Sequence, residues 1–272
     1  MNAAEMGPPE VGRQPSQVVI LCEGYYDRPF WRGWLEALGL QSLYDPQKGG
    51  QRPVDPWKNP VVGGEFAFQG QSGTPFVRLK PCGSDARTRE ALRTVLAWRA
   101  KRPTHAIIAA LDWNKIAEPT VSSTADTAPR LENFLRQMEP AAKPLGNNLW
   151  QLDDGAYVYL IDWTLVPSAL TPQAGVPRKN TLERLVCACL AETFPSLAQA
   201  VEKWLATRPD MQDADDIDPK GYAWSYMAGW KANSGCDYFF RQVWQTPAIR
   251  QRLERKLTEL GHWQTLCSLL GE

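Results

Sequence analysis

Two acidic residues directly follow apolar runs of the kind that form buried strands. Glu23 comes after VVILC, with Asp27 four residues further on, and Asp112 ends HAIIAALD, with Asn114 two residues later. Ligands of an open parallel sheet bind outside the carboxyl ends of its strands, so these side chains are expected at one edge. Mg²⁺ prefers oxygen ligands and usually takes one or two carboxylates with phosphate and water. The spacing predicts a divalent-cation site formed by Glu23, Asp27, Asp112 and Asn114.

Each acidic residue also has a purely structural explanation. Glu23 could be an exposed strand-end residue, Asp27 could cap a helix, and Asp112 could begin a turn. Asn180-Thr181-Leu182-Glu183 fits an N-cap residue followed three positions later by a glutamate. Two strands that both end in an acidic residue favour a binding site over these separate explanations.

The elements that must position these residues can be predicted from apolar runs. Four segments are typical of buried strands: 18–21, 76–80, 105–112 and 156–162. Helical spacing between them predicts an α/β fold with a mostly parallel four-stranded sheet flanked by helices. We expect a disordered lead-in over 1–16, a sheet domain over 17–195 with an insertion at 41–75, and a helical C-terminal region over 196–272 packed on it.

Composition excludes several classes of protein. The 272 residues, 43% of them apolar, are enough for one α/β domain with an appended subdomain. Thirty basic and thirty acidic residues cancel, so any polyanion site must be local or must use metal ions. Six cysteines without a CxxC pair and only two histidines disfavour a zinc site and a histidine-dependent triad. No signal peptide or membrane-spanning segment is recognised, which predicts a cytoplasmic protein without membrane contact.

The two acidic motifs resemble the topoisomerase–primase (Toprim) family, in which one strand ends in Glu-Gly and a later strand in Asp-x-Asp. VVILCEGYYD matches the first motif through Glu23 and Asp27. HAIIAALDWN matches the second through Asp112, but Asn114 stands where the family usually has aspartate. FVRLKPCG resembles the strand and turn between the motifs, with Gly83 in the turn. The resemblance covers residues 17–195 and implies a Toprim-like fold.

Within this family, the stand-alone members and the overcoming-lysogenization-defect (OLD) nucleases are most similar. Leu182-Glu183 resembles their further acidic pair, and Lys231 stands where they often carry a lysine. The resemblance implies a nuclease that cleaves DNA or RNA with Mg²⁺ or Mn²⁺, with Glu183 as an additional metal ligand. It also implies Glu23, Asp112 and Lys231 as catalytic residues, Glu23 acting as general base.

The same resemblance implies a role in phage defence beside a partner ATPase encoded nearby, since we recognise no ATP-binding loop in this sequence. A homo-oligomer is also compatible with the sequence. Asn114 removes one negative charge from the metal site, so a one-metal site or a non-catalytic subunit that binds nucleic acid or the ATPase stays open.

One further pattern has two interpretations. Basic residues recur on or just after the second predicted helix, either as a solvated helix face or as a surface that follows phosphates. They are Arg87, Arg89, Arg93, Arg99, Lys101 and Arg102.

Overall fold

The structure is a computed structural model. It describes residues 16–24, 27–46, 48–70, 75–111, 127–163, 173–179, 181–208, 217–231 and 235–271. Asp112, Asn114 and the expected lead-in up to residue 15 lie outside the described residues, and so does the side chain of Lys231.

Eight strands of the described chain form one sheet. They are β1 (Gln17–Cys22), β2 (Gln41–Tyr44), β3 (Phe66–Gln69), β4 (Phe76–Pro81), β5 (Ala106–Leu111), β6 (Lys143–Gly146), β7 (Leu149–Gln151) and β8 (Tyr157–Asp162). Their order is β2-β3-β4-β1-β5-β8-β7-β6. The central strands β4, β1, β5 and β8 are parallel, and antiparallel strands extend the sheet at both edges.

The α/β class is confirmed, but the prediction of a four-stranded sheet is wrong. The four predicted strands are the central parallel ones, whose residues are almost all buried. The additional strands are three or four residues long, and the outermost two, β2 and β6, are largely exposed. β2 and β6 carry no apolar alternation because they are exposed, and β3 and β7, although more buried, are too short to show a pattern, so the sequence does not reveal these strands.

Nine helices pack around the sheet in the described chain. They are α1 (Asp27–Ala37), α2 (Asp85–Trp98), α3 (Thr127–Met138), α4 (Leu182–Thr193), α5 (Pro195–Ala206), α6 (Pro219–Lys231), α7 (Gly235–Gln245), α8 (Pro247–Glu259) and α9 (His262–Leu270). No helix of the described residues is both long and apolar enough to cross a bilayer.

Both faces of the central strands are covered, which explains their continuous apolar sequences. Along β1, Val18 and Ile20 belong to the larger core cluster, with α1 and α4 to α9. Val19 and Leu21 belong to a smaller cluster with α2 and α3. The C-terminal helices therefore share one core with α1 and the sheet.

Aromatic packing fixes the orientation of α1, the helix that begins at Asp27. Trp34 stacks on Trp244 of α7, with ring centroids 5.8 Å apart and planes at 14°, and on Trp263 of α9 at 6.0 Å. Gly33 permits the approach of α7, since a Cβ atom there would lie 2.4 Å from a ring carbon of Trp244. The start of α1 is thereby held against the end of β1.

Candidate active-site cleft

A cleft of about 220 Å³ lies where β1 ends. Its walls come from the end of β1, the turn after β4 and the N-terminal ends of α1, α4 and α6. The lining residues are Glu23, Gly24, Asp27, Gly83, Lys179, Thr181, Glu183, Asp218, Pro219 and Lys220. Three predicted site residues, Glu23, Asp27 and Glu183, are thus brought together.

Glu23 is the first residue after β1, and backbone hydrogen bonds fix its position. The Gly83 amide donates to the Glu23 carbonyl at 2.5 Å, and the Cys82 amide donates to the Cys22 carbonyl at 2.9 Å. Gly83 has a φ of +94°, a conformation that favours glycine. The glycine turn after β4 therefore closes one side of the cleft beside Glu23.

Asp27 begins α1, and its carboxylate accepts a hydrogen bond from the Gly24 amide at 3.1 Å. Burial is the largest cause that raises the pKa of Asp27 to about 7, and the negative charges of Glu183 and Glu23 contribute to the same rise. The Gly24 hydrogen bond and the positive charge of Lys220 act in the opposite direction. Asp27 is therefore electrostatically coupled to both other carboxylates of the cleft.

Glu183 lies in the first turn of α4 and is 5% exposed. No hydrogen bond or ion pair joins its carboxylate to another described residue. The capping arrangement that starts at Asn180 requires α4 to begin at Thr181, but the helix begins at Leu182. A nearly buried carboxylate without a partner is costly, so Glu183 favours a cation in this cleft.

Thr181 is a cleft residue that we did not identify from the sequence. It is the N-cap of α4, it is 4% exposed, and its hydroxyl has no hydrogen-bond partner among the described residues. At the N-termini of α2 and α6, by contrast, the capping side chains accept hydrogen bonds from the backbone. Ser84 accepts one from the Arg87 amide, and Asp218 accepts one from the Lys220 amide. The Thr181 hydroxyl can therefore donate to an oxygen of a ligand.

The cleft combines an acidic side with two lysines. Four lining residues are acidic and two, Lys179 and Lys220, are basic. The N-terminus of α4 adds the positive end of a helix dipole. This arrangement suits a cation between the carboxylates and an anionic group of the ligand beside the lysines.

The strand that leads to Asp112 is the direct neighbour of β1. β1 and β5 are parallel, with Val18 opposite Ala106 and Leu21 opposite Ala109, so both end at the same edge. β8, the next strand, also ends in an acidic residue: Asp162, paired in register with Leu111 and 4% exposed. We did not select Asp162, although AYVYLID shows the same pattern as HAIIAALD.

Lys220 and Lys231 lie at opposite ends of α6. Lys220 lines the cleft. Lys231 ends this helix, about 16 Å further along the axis at 1.5 Å per residue. Among the described side chains, Lys220 is therefore the α6 lysine that reaches the cleft, and the sequence did not single it out.

The carboxylates of the cleft are suitable ligands for Mg²⁺ or Mn²⁺, because these cations prefer carboxylate, carbonyl and water oxygens. Within the described part of the chain, no group of three or more His, Cys, Asp and Glu side chains is arranged to hold a metal ion. Mg²⁺, however, is usually bound by one or two carboxylates together with phosphate and water. The residues present therefore fit a weakly held cation that shares its ligands with a substrate phosphate.

No protein-family model and no curated protein matches the sequence. Among solved structures, the fold is similar to that of a hypothetical protein from Pyrococcus horikoshii OT3, with a TM-score of 0.62 and 15% identity over 93% of this chain and 99% of that chain. A protein with unknown function from Thermoplasma acidophilum aligns with a TM-score of 0.24 and 12% identity over 94% of this chain and 90% of that chain. The first similarity shows a shared fold only, and a relation to the Toprim family stays a prediction.

Proposed function

We propose that this protein is a nuclease that hydrolyses phosphodiester bonds of DNA or RNA with Mg²⁺ or Mn²⁺. The observation that carries the proposal is that three carboxylates from three elements line one cleft: Glu23 after β1, Asp27 in α1 and Glu183 in α4. Asp27 is electrostatically coupled to the other two. Like charges placed close together in a partly buried cleft repel, and a divalent cation removes that cost.

Each residue of the cleft has a role in this proposal. When bound, the metal would neutralise the phosphate and lower the pKa of an attacking water. Glu183, Asp27 and Glu23 would hold the cation, and Glu23, at the mouth of β1, would also accept the proton of the water. Lys220 and the Thr181 hydroxyl orient the phosphate oxygens. Asp112 and Asn114 remain predicted further ligands.

The test is cleavage of labelled single-stranded DNA, duplex DNA and RNA with and without Mn²⁺. We expect metal-stimulated cleavage by the wild type, reduced about 100-fold or more in Glu23→Gln and Glu183→Gln. Glu90→Gln is the control, since Glu90 is an exposed carboxylate on α2 that does not line the cleft. No cleavage of any substrate, or full activity of both cleft variants, would contradict the proposal.

A second candidate function is a non-catalytic subunit that binds nucleic acid or a partner ATPase. Two observations favour it: Asn114 replaces a carboxylate, and the described residues do not form a three-ligand metal group. Calorimetric titration with Mn²⁺ separates the two functions. A subunit without a metal site binds Mn²⁺ weakly and equally in the wild type and in Glu23→Gln, whereas a nuclease loses affinity in the variant.

The proposed place in phage defence and the partner ATPase rest on the Toprim resemblance alone. Co-expression with the proteins encoded beside this one, followed by affinity purification, tests the partnership. We expect an ATPase to co-purify; recovery of this chain alone would contradict that part of the proposal.

A further inference from the structure

A second pocket, of about 70 Å³, lies on the α2 face of the sheet. It is bounded by the first residues of β1, the C-terminal end of α2 and strand β4, and none of its lining residues lines the cleft. Gln17 begins β1 and Glu23 follows its end, so the two sites are about 20 Å apart at 3.3 Å per residue.

One residue that lines this pocket has a buried polar atom without a hydrogen-bond partner among the described residues. Gln17 is 4% exposed, and its side-chain carbonyl oxygen is buried and accepts no hydrogen bond from any described residue. A buried amide oxygen without a donor is unfavourable. The pocket is therefore suited to a ligand that presents an N–H or O–H group to Gln17.

The mouth of the pocket carries an exposed aromatic ring. Trp98 ends α2 and is 50% exposed, although large aromatic side chains are usually much more buried. The Arg102 guanidinium lies over its ring, 4.7 Å from the centroid. Val19 and Val95 contribute apolar side chains to the lining of the pocket. A planar ring can stack here while its edge enters the pocket.

Several basic groups around the pocket are available to contact an anionic group of a ligand. Ion pairs with acidic neighbours occupy three arginines of the basic stretch: Arg89, Arg93 and Arg99. At the pocket wall, Arg78 is paired with Asp55 and Glu65. No ion pair with a described residue occupies the remaining basic groups here, which are Lys80, Lys101 and Arg102. Arg78 and Arg99 together face five carboxylates, so the local charge is balanced, but these three basic groups are available to contact an anionic group of a ligand.

We propose that this pocket binds a nucleobase and its attached phosphate. The base stacks on the Trp98–Arg102 pair, an exocyclic amine donates to the Gln17 oxygen, and Lys80 and Arg102 face the phosphate. The base comes from a single-stranded nucleic acid or from a free nucleotide. The inference goes beyond the proposed cleavage, because it concerns a different surface and requires no metal.

Fluorescence anisotropy with labelled oligo(dA) and oligo(dT), in EDTA so that no cleavage occurs, tests this site. We expect the wild type to bind oligo(dA) more tightly, because thymine lacks an exocyclic amine and its one ring N–H lies between two carbonyl oxygens that the Gln17 oxygen would repel. Trp98→Ala should weaken binding of both about tenfold through loss of stacking. Gln17→Met should retain binding but lose the preference for oligo(dA). Trp204→Ala is the control, since Trp204 is 60% exposed on α5, away from the pocket.

Competition with adenosine monophosphate distinguishes the two sources of the base. If adenosine monophosphate displaces the oligonucleotide when its concentration is similar to the concentration of nucleotides in the oligonucleotide, the pocket binds free nucleotides. If it does not displace the oligonucleotide, the pocket binds a strand. Absence of binding to both, or equal affinity of Trp98→Ala and the wild type, would overturn the inference. Cleavage is measured in a separate assay, so the two proposals can fail independently. The protein could cleave nucleic acid without binding a base in this pocket, or bind a base here without cleaving.

Discussion

At the scale of single residues, the protonation of Asp27 links the cleft to stability. Its pKa is raised from 3.8 to about 7 by burial and by Glu183 and Glu23. Between these values the folded protein binds a proton that the unfolded chain has released, so this group makes the protein less stable as pH rises through that window.

We therefore expect Asp27→Asn to stabilise the metal-free protein above pH 7. The gain should be only on the order of 1 kcal/mol, because Asp27 is buried by its neighbours on most sides but keeps part of its surface exposed to the cleft. Below pH 4, where the carboxyl is protonated in both states, the gain should disappear. Urea unfolding at several pH values measures this. A pH-independent difference between variant and wild type would show that Asp27 is not coupled to its acidic neighbours.

Thr181 provides a test that separates binding from folding. Its buried hydroxyl has no described partner, so Thr181→Val, which keeps the shape, should leave the free energy of unfolding within about 1 kcal/mol of the wild type. In a cleavage assay we expect KM to rise about tenfold with little change in kcat, since the hydroxyl positions a phosphate oxygen. A variant that unfolds more easily but keeps its KM would assign Thr181 a structural role instead.

The sequence identified some of these residues and missed others for a clear reason. Glu23 directly follows the apolar run of β1 and Asp27 lies four residues further on, so the local sequence was sufficient to predict both as site residues. Thr181 and Lys220 became cleft residues only because α4 and α6 pack with their N-termini beside β1. No local signal encodes that packing.

At the scale of elements, the contact between α1 and α7 sets the position of Asp27. Gly33→Ala would place a methyl group 2.4 Å from Trp244, so we expect a loss of stability of about 1–3 kcal/mol from overpacking. Gly221→Ala is a matched helical control, because its new methyl group would meet nothing closer than 3.6 Å. Thermal denaturation compares the two; equal melting temperatures would contradict the packing described for α1.

Predictability of the elements follows their burial. β1 and β5 are buried on both faces, so uninterrupted apolar runs revealed them within one residue, whereas β4 is interrupted by Arg78 and Lys80 and was recognised from its remaining apolar residues. β2 and β6 are exposed edge strands whose pairing depends on a neighbour already present, and their sequences lack any alternation. The sheet was therefore predicted at its centre and missed at its edges.

At the scale of the whole molecule, the C-terminal helices are part of the cleft. The larger core cluster joins them to α1 and the sheet, and α6 contributes Pro219 and Lys220 to the cleft wall. The chain as a whole carries no net charge, and the cleft itself has more acidic than basic groups. A polyanion is thus attracted to this cleft only after a cation is bound.

The most direct test of this account is anomalous diffraction from crystals soaked in Mn²⁺. We predict a Mn²⁺ peak in the cleft, within coordinating distance of carboxylate oxygens of Glu23, Asp27 or Glu183, that disappears in Glu183→Gln crystals. An empty cleft at a saturating Mn²⁺ concentration, or peaks at other surfaces only, would contradict the central claim that these carboxylates bind a catalytic cation.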